Sequence, residues 1–244
     1  MSKQTLFVAW RELKSYFDSP TAYVFLVAFL ALSGFLTFGV SMLYERREAD
    51  LAPFFFWHPW IYLAFIPAVT MGLWSDERRG GTMELLLTFP LTLVDAIAGK
   101  FLAAWAFMTL ALACTFPVPV TVCWLGSPDA GALACGYFGS FLLGGAMAAL
   151  GVFASSVSRS GVVGFIIAMV VSFVLLIIGF DPVIQAFQEW GWPSSLVDAL
   201  AGMSLLSHFD ALRRGVLDLG DVAYYAGVTS CALVAAYAVI DNRK

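Results

Sequence analysis

The stretch AGALACGYFGSFLLGGAMAALGVFASSVS, residues 130–158, runs for 29 positions without one charged side chain. An α-helix needs about 20 residues to cross the hydrocarbon of a bilayer, so this stretch is long enough to span one. It lacks the polar–apolar alternation of a barrel strand, and in lipid every backbone amide must find its partner within the segment, so it reads as a helix. Gly136, Ser140, Gly144 and Ala148 recur at every fourth position and line one face, where their small size admits a neighbouring helix closely.

Working outward, charge-free windows recur at residues 21–43, 51–75, 101–128, 160–180 and 222–240. Of the 244 residues 61% are hydrophobic and 12% charged, and the mean hydropathy is +0.85, which excludes an ordinary soluble domain. The expectation is an all-α polytopic membrane protein forming one transmembrane domain over residues 1–244, with six transmembrane helices at about 21–43, 53–75, 100–126, 131–157, 161–180 and 221–241. Lys3, Arg11, Lys14, Arg78, Arg79, Lys100, Arg159, Arg243 and Lys244 fall on one side of such a bundle, and Arg46, Arg47, Arg213 and Arg214 on the other. The positive-inside rule makes the richer side cytoplasmic, with both termini inside. No cleaved leader is expected, because an amphipathic segment precedes the first window.

That segment, residues 3–18, places Leu6, Trp10, Leu13 and Phe17 at helical spacing and is expected to lie in the plane of the inner leaflet, ended by Ser19 and Pro20. Pro117 and Pro119 should kink or break the third span. Residues 181–220 are too apolar for a plain loop, and two short re-entrant helices are expected there, the second opening on a Ser195–Asp198 capping box. Cys114, Cys123, Cys135 and Cys231 read as small packing residues, with no zinc spacing among them.

Catalytic motifs are missing from the sequence. It has no GxSxG elbow, no HExxH pair and no phosphate-binding loop, so no catalytic residue, metal site or ATP site is expected in this chain. His208 and Asp210, together in SHFD, read as an interfacial polar cluster. No Asp, Glu, Lys or Arg falls inside the six windows, which disfavours a self-sufficient ion-coupled transporter. Energy should then enter from outside the membrane, and the polar link DERRGGTMELLLTFPLT, residues 76–92, is built to receive it. Gly80 and Gly81 allow a reversal, Thr82 caps a short helix over about residues 82–89 with Glu84 in its first turn, and Pro90 stops it. Thr92 with Asp95 forms a second capping box that starts the next helix. Met83, Leu86 and Leu87 on one side of the short helix suit a groove in a partner.

The run GTMELLLTFPLTLVDAIAGKF, residues 81–101, resembles the cytoplasmic signature of type-2 ABC exporter permeases. Together with the outer segment LSHFDALRRGVLDLGDVAYY, residues 206–225, the whole arrangement is similar to the gliding-motility and nitrous-oxide-reductase-maturation branch of that family. The resemblance implies a permease half that pairs with a second permease subunit in a bacterial inner membrane. Two cytoplasmic P-loop ATPase subunits would bind ATP and Mg in its place. It makes Glu77, Arg78, Gly81, Thr82, Glu84, Leu85 and Pro90 the coupling element that contacts the ATPase. No nucleic-acid partner is expected. An alternative is a membrane scaffold that takes the same ATPase motion to a periplasmic or extracellular partner without carrying cargo.

Overall fold

The computed structural model describes residues 2–43, 50–81 and 91–242, which are helical almost throughout and contain no strand. In chain order the helices are α1 (Lys3–Phe17), α2 (Pro20–Gly34), α3 (Ala52–Thr70), α4 (Gly72–Gly80), α5 (Leu93–Ala113), α6 (Pro117–Leu125), α7 (Ala130–Val157), α8 (Gly161–Ile177), α9 (Asp181–Glu189), α10 (Ser194–Ala201), α11 (Leu205–Arg213) and α12 (Leu219–Asp241). Five helical stretches are long and apolar enough to cross a membrane: Pro20–Val40, Ala52–Gly80, Leu93–Leu125, Ala130–Val157 and Leu219–Asp241. A sixth is reached if α8 and α9, bent by 69° at their junction, make one broken span.

Local chemistry sets the boundaries. Ser2 caps α1 by accepting from the Thr5 amide, and Ser19 caps α2 with Pro20 in its first turn. After α2 the backbone widens into a π-helical turn, Phe35–Val40. The helix of the second window continues past residue 75 as α4 through the charged residues to Gly80. Arg78 and Arg79 lie in the last turn, where cations suit the negative end of the helix dipole, and Gly81 closes the helix in the left-handed region at φ 67°. The third span starts at Leu93 and is broken, as Pro117 and Pro119 suggested, with Pro117 opening the second piece.

Residues 181–220 hold three short helices where two were expected. The Ser195–Asp198 capping box is not used: Pro193 stands at the cap of α10, and no side chain caps that end. The Pro193 ring fixes its own φ and so starts the helix two residues earlier than a Ser195 cap could.

The long helix α7 is the axis of the fold, packed by α3, α5, α8, α11 and α12. Gly136, Ser140, Gly144 and Ala148 are all buried in it or nearly so, and the row faces α3. A Cβ at Gly136 would stand 2.4 Å from the Phe55 ring, and Ser140 Oγ lies 2.7 Å from His58 Nδ1. Gly144 is different, since a Cβ there would meet Tyr62 at an ordinary 3.5 Å. The tightest approach falls outside the row, at Gly151, where a Cβ would stand 2.1 Å from Thr70 Oγ1 and 2.8 Å from Thr70 Cβ. Gly151→Ala is therefore expected to cost about 1–3 kcal/mol through overpacking. Gly144→Ala should be neutral or stabilise by up to about 1 kcal/mol through helix propensity. Unfolding of the two variants in graded detergent mixtures measures the contrast; equal stabilities would remove Gly151 as the closest point of the α3–α7 contact.

Candidate functional site

Three helices meet at the positions that flank residues 82–90 in the chain. α4 ends at Gly81, α5 begins from the Thr92 cap, and α1 lies against α5. The close fit of α1 on α5 depends on Gly99, where a Cβ would come within 2.7 Å of Val8 Cβ and 3.0 Å of the Thr5 carbonyl.

The start of α5 is fastened through Asp95. The Asp95 amide donates to Thr92 Oγ1 at 3.1 Å, and the Thr92 hydroxyl donates back to Asp95 Oδ2 at 2.5 Å, as the capping pair in the sequence suggested. The second carboxylate oxygen accepts from Thr5 Oγ1 at 2.6 Å and from Ser2 Oγ. Ser2 is itself the cap of α1, so the amino ends of α1 and α5 converge on one carboxylate. Both helix dipoles favour a negative charge there.

Deeper along α5, Lys100 is 1% exposed. Its ammonium donates to Glu77 Oε1 at 2.7 Å and to Glu12 Oε1 at 3.2 Å, and it lies 5.2 Å from the centre of the buried Trp74 ring. Arg11 reaches Glu12 at 2.7 Å and approaches Glu77 at 4.0 Å. Two carboxylates thus face two cations, and one buried lysine joins α1, α4 and α5. A charge taken out of water this far is tolerated only when paired and hydrogen-bonded. Burial pushes the Glu12 carboxyl up, but Lys100 and Arg11 together outweigh it and hold the group below its ordinary value.

Above this cluster the second span has a joint. Met71 lies between α3 and α4, and the Ser155 hydroxyl of α7 enters the helix ladder there. Ser155 Oγ donates to the Met71 carbonyl at 2.9 Å and accepts from the Trp74 amide at 3.0 Å and the Ser75 amide at 3.4 Å. Inserted polar groups of this kind are a recognised cause of helix bending. Tyr16 adds a second tie by donating to the Val69 carbonyl at 3.0 Å.

Of the residues that the resemblance assigned to coupling, Glu77 turns into the bundle to hold Lys100, Arg78 occupies the last turn of α4, and Gly81 forms its left-handed cap. Thr82, Glu84, Leu85 and Pro90 lie outside the described residues. Glu12, Asp95, Lys100, Ser2, Thr5 and Trp74 were not assigned to this site from the sequence. Lys100 carried a signal: it is a lone cation within the helix that Thr92 and Asp95 start, so it needed an acidic partner from elsewhere. Glu12, the one acid of α1, was the candidate.

At the opposite end of the bundle His208 does not pair with Asp210. Its Nδ1 lies 2.6 Å from Asp221 Oδ1 of α12, and Asp210 instead pairs with Arg213 at 2.9 Å, one helical turn on. Three residues along a helix bring Asp210 and Arg213 together, while the start of α12 carries its carboxylate to the histidine. Among the described residues no group of three or more His, Cys, Asp or Glu side chains could hold a metal ion.

Residues 40–240 match the sequence profile of the family described as ABC-2 family transporter protein. The match starts beyond α1 and covers the joint, Lys100 and the far-end helices. No curated protein matches the chain.

Proposed function

We propose that this chain, which belongs to the ABC-2 transporter family, drives export by taking up the motion of a cytoplasmic ATPase through residues 82–90. As a member of that family it is a multi-pass membrane protein and a permease subunit of an ABC transporter. The family implies an ATP-binding subunit and a second permease as partners. Our reading goes further: two ATPase subunits dock on the cytoplasmic face, the second permease is a copy of this chain or a different subunit, and the membrane is a bacterial inner membrane with both termini inside. ATP and Mg belong to the ATPase.

The observation that carries this reading is the fastening of both ends of the 82–90 segment to one three-helix joint. A push on that segment is delivered at Gly81 to α4 and at Thr92 to α5. The Glu77–Lys100–Glu12 bridge makes those two helices and α1 respond as one body. The Met71 joint, held by Ser155, gives α4 a place to turn relative to α3. Repacking between discrete arrangements at such a joint is how a small displacement becomes a movement of whole helices. The apolar face of α1, with Leu6, Phe7 and Trp10 each more than 60% exposed, rests on the inner leaflet in this reading.

Affinity purification of the tagged chain in mild detergent, from cells that express it at natural levels, tests the proposal. A P-loop ATPase is expected to co-purify, with two ATPase and two permease chains in the native mass. Recovery of the chain without any ATPase under conditions that preserve its oligomer would reject the reading.

A further inference from the structure

We infer that the far-end helices are latched to the last span by a proton on His208, so that alkaline pH on that side loosens the α10–α11 turn. Both ring nitrogens face acceptors: Nδ1 lies 2.6 Å from Asp221 Oδ1, and Nε2 lies 3.0 Å from the Gly202 carbonyl oxygen. A neutral imidazole has one N–H and one lone pair, and it can donate to only one of them. The second nitrogen would then direct its lone pair at another lone pair. Only the doubly protonated ring satisfies both contacts, and it also neutralises Asp221, whose side chain is 10% exposed and whose Oδ2 has no hydrogen-bond partner among the described residues. The Tyr224 ring covers the imidazole at 4.0 Å between centroids and 21° between planes, which suits a cation.

The residues that this proton holds are the turn where four helices meet. Gly202 ends α10 and Leu205 begins α11. Tyr224 donates its hydroxyl to the Met203 carbonyl, Tyr225 donates to Leu205 at 2.8 Å, and Ser204 donates to the Leu176 carbonyl of α8 at 3.2 Å. Through this turn α8, α10, α11 and α12 are joined, and His208 ties it to both a carboxylate and a backbone carbonyl. Of the other charged and titratable groups on the helices around it, Asp198 of α10 and Arg214 at the end of α11 are exposed, and Asp218 caps α12. Asp210 pairs with Arg213, Tyr137 of α7 with Thr115, and His58 of α3 with Ser140, and α8 brings no charged side chain. Loss of the proton removes the Nε2–Gly202 bond first, because the remaining N–H stays with the carboxylate, the stronger acceptor.

The full-length chain in lipid nanodiscs, labelled with 15N-histidine, tests this without any substitution. There are two histidines to assign. The expected result is a His208 ring protonated on both nitrogens at acidic pH that loses one proton as the pH is raised across the range in which the protein stays folded. Amide exchange of residues 194–203, corrected for its intrinsic pH dependence, should rise about tenfold or more at that same midpoint, as a lost charge-assisted bond requires. In His208→Gln the exchange should be fast at every pH. A ring that stays neutral across this range, or exchange that does not follow the ring's titration, would overturn the inference. It does not rest on coupling to an ATPase.

Discussion

Lys100→Met is expected to destabilise the protein by about 3–5 kcal/mol, because it leaves the Glu12 and Glu77 carboxylates in the protein interior without their shared cation. The lysine is almost wholly shielded, and both carboxylate contacts are direct. Arg11 cannot take its place. It keeps its 2.7 Å contact with Glu12, but it is half exposed, lies 4.0 Å from Glu77, and would have to leave water to come closer. The loss comes mainly from two carboxylates deprived of their shared cation, which makes a second arm informative. Adding Glu12→Gln and Glu77→Gln to Lys100→Met removes both carboxylate charges and should restore most of the stability, since replacing a whole buried ionic set is often near neutral. Tryptophan fluorescence during graded detergent unfolding reads all the variants. A single Lys100→Met variant as stable as the parent would mean that the cluster does not join α1, α4 and α5. The triple variant should still fail to transmit motion between those helices, because the bridge itself is gone.

Much of this fold is legible in the sequence because bilayer physics leaves few choices. Twenty or so uncharged residues must become a helix, and the windows around residues 21–43 and 130–158 do. The Thr92–Asp95 cap and the break at Pro117 were also readable, since each rests on local hydrogen bonding or on a missing amide. The extension of the second span through Asp76–Gly80 was hidden. Charge density alone suggests a loop, whereas the Asp76–Arg79 pair at 3.1 Å and the dipole-matched arginines keep the residues helical until glycine ends the helix.

The site was less legible because its parts come from distant positions. Nothing near Lys100 in the chain shows that Glu12 and Glu77 are its partners, 88 and 23 residues away. Counting Lys100 among the basic residues of one side of the bundle follows the positive-inside pattern and carries no sign of its burial. At the far end, proximity in the sequence suggested His208 with Asp210, and the fold selects Asp221. The small-residue row was visible, but its spacing could not show that Gly144 has room for a methyl group while Gly151, one position off the four-residue register, has none.

The second large effect is expected at the segment itself. Glu84→Lys reverses the charge in the first turn of the expected docking helix, where an acid suits the dipole and a cation opposes it. Gly81→Pro acts on the same element from its anchored end. Gly81 has φ 67°, which the proline ring cannot adopt, and its amide donates to the Arg78 carbonyl at 3.4 Å, a bond that proline removes. Neither change touches an apolar window, so membrane insertion and pairing of the permeases should persist. The decisive measurement is ATP hydrolysis by the permease–ATPase complex reconstituted in lipid, with and without transported substrate, for the parent and these two variants. The account predicts intact complexes whose substrate-stimulated hydrolysis falls to the basal rate. Stimulation at the parental rate in an intact complex, or loss of membrane insertion in both variants, would contradict the claim that motion enters this protein through residues 82–90.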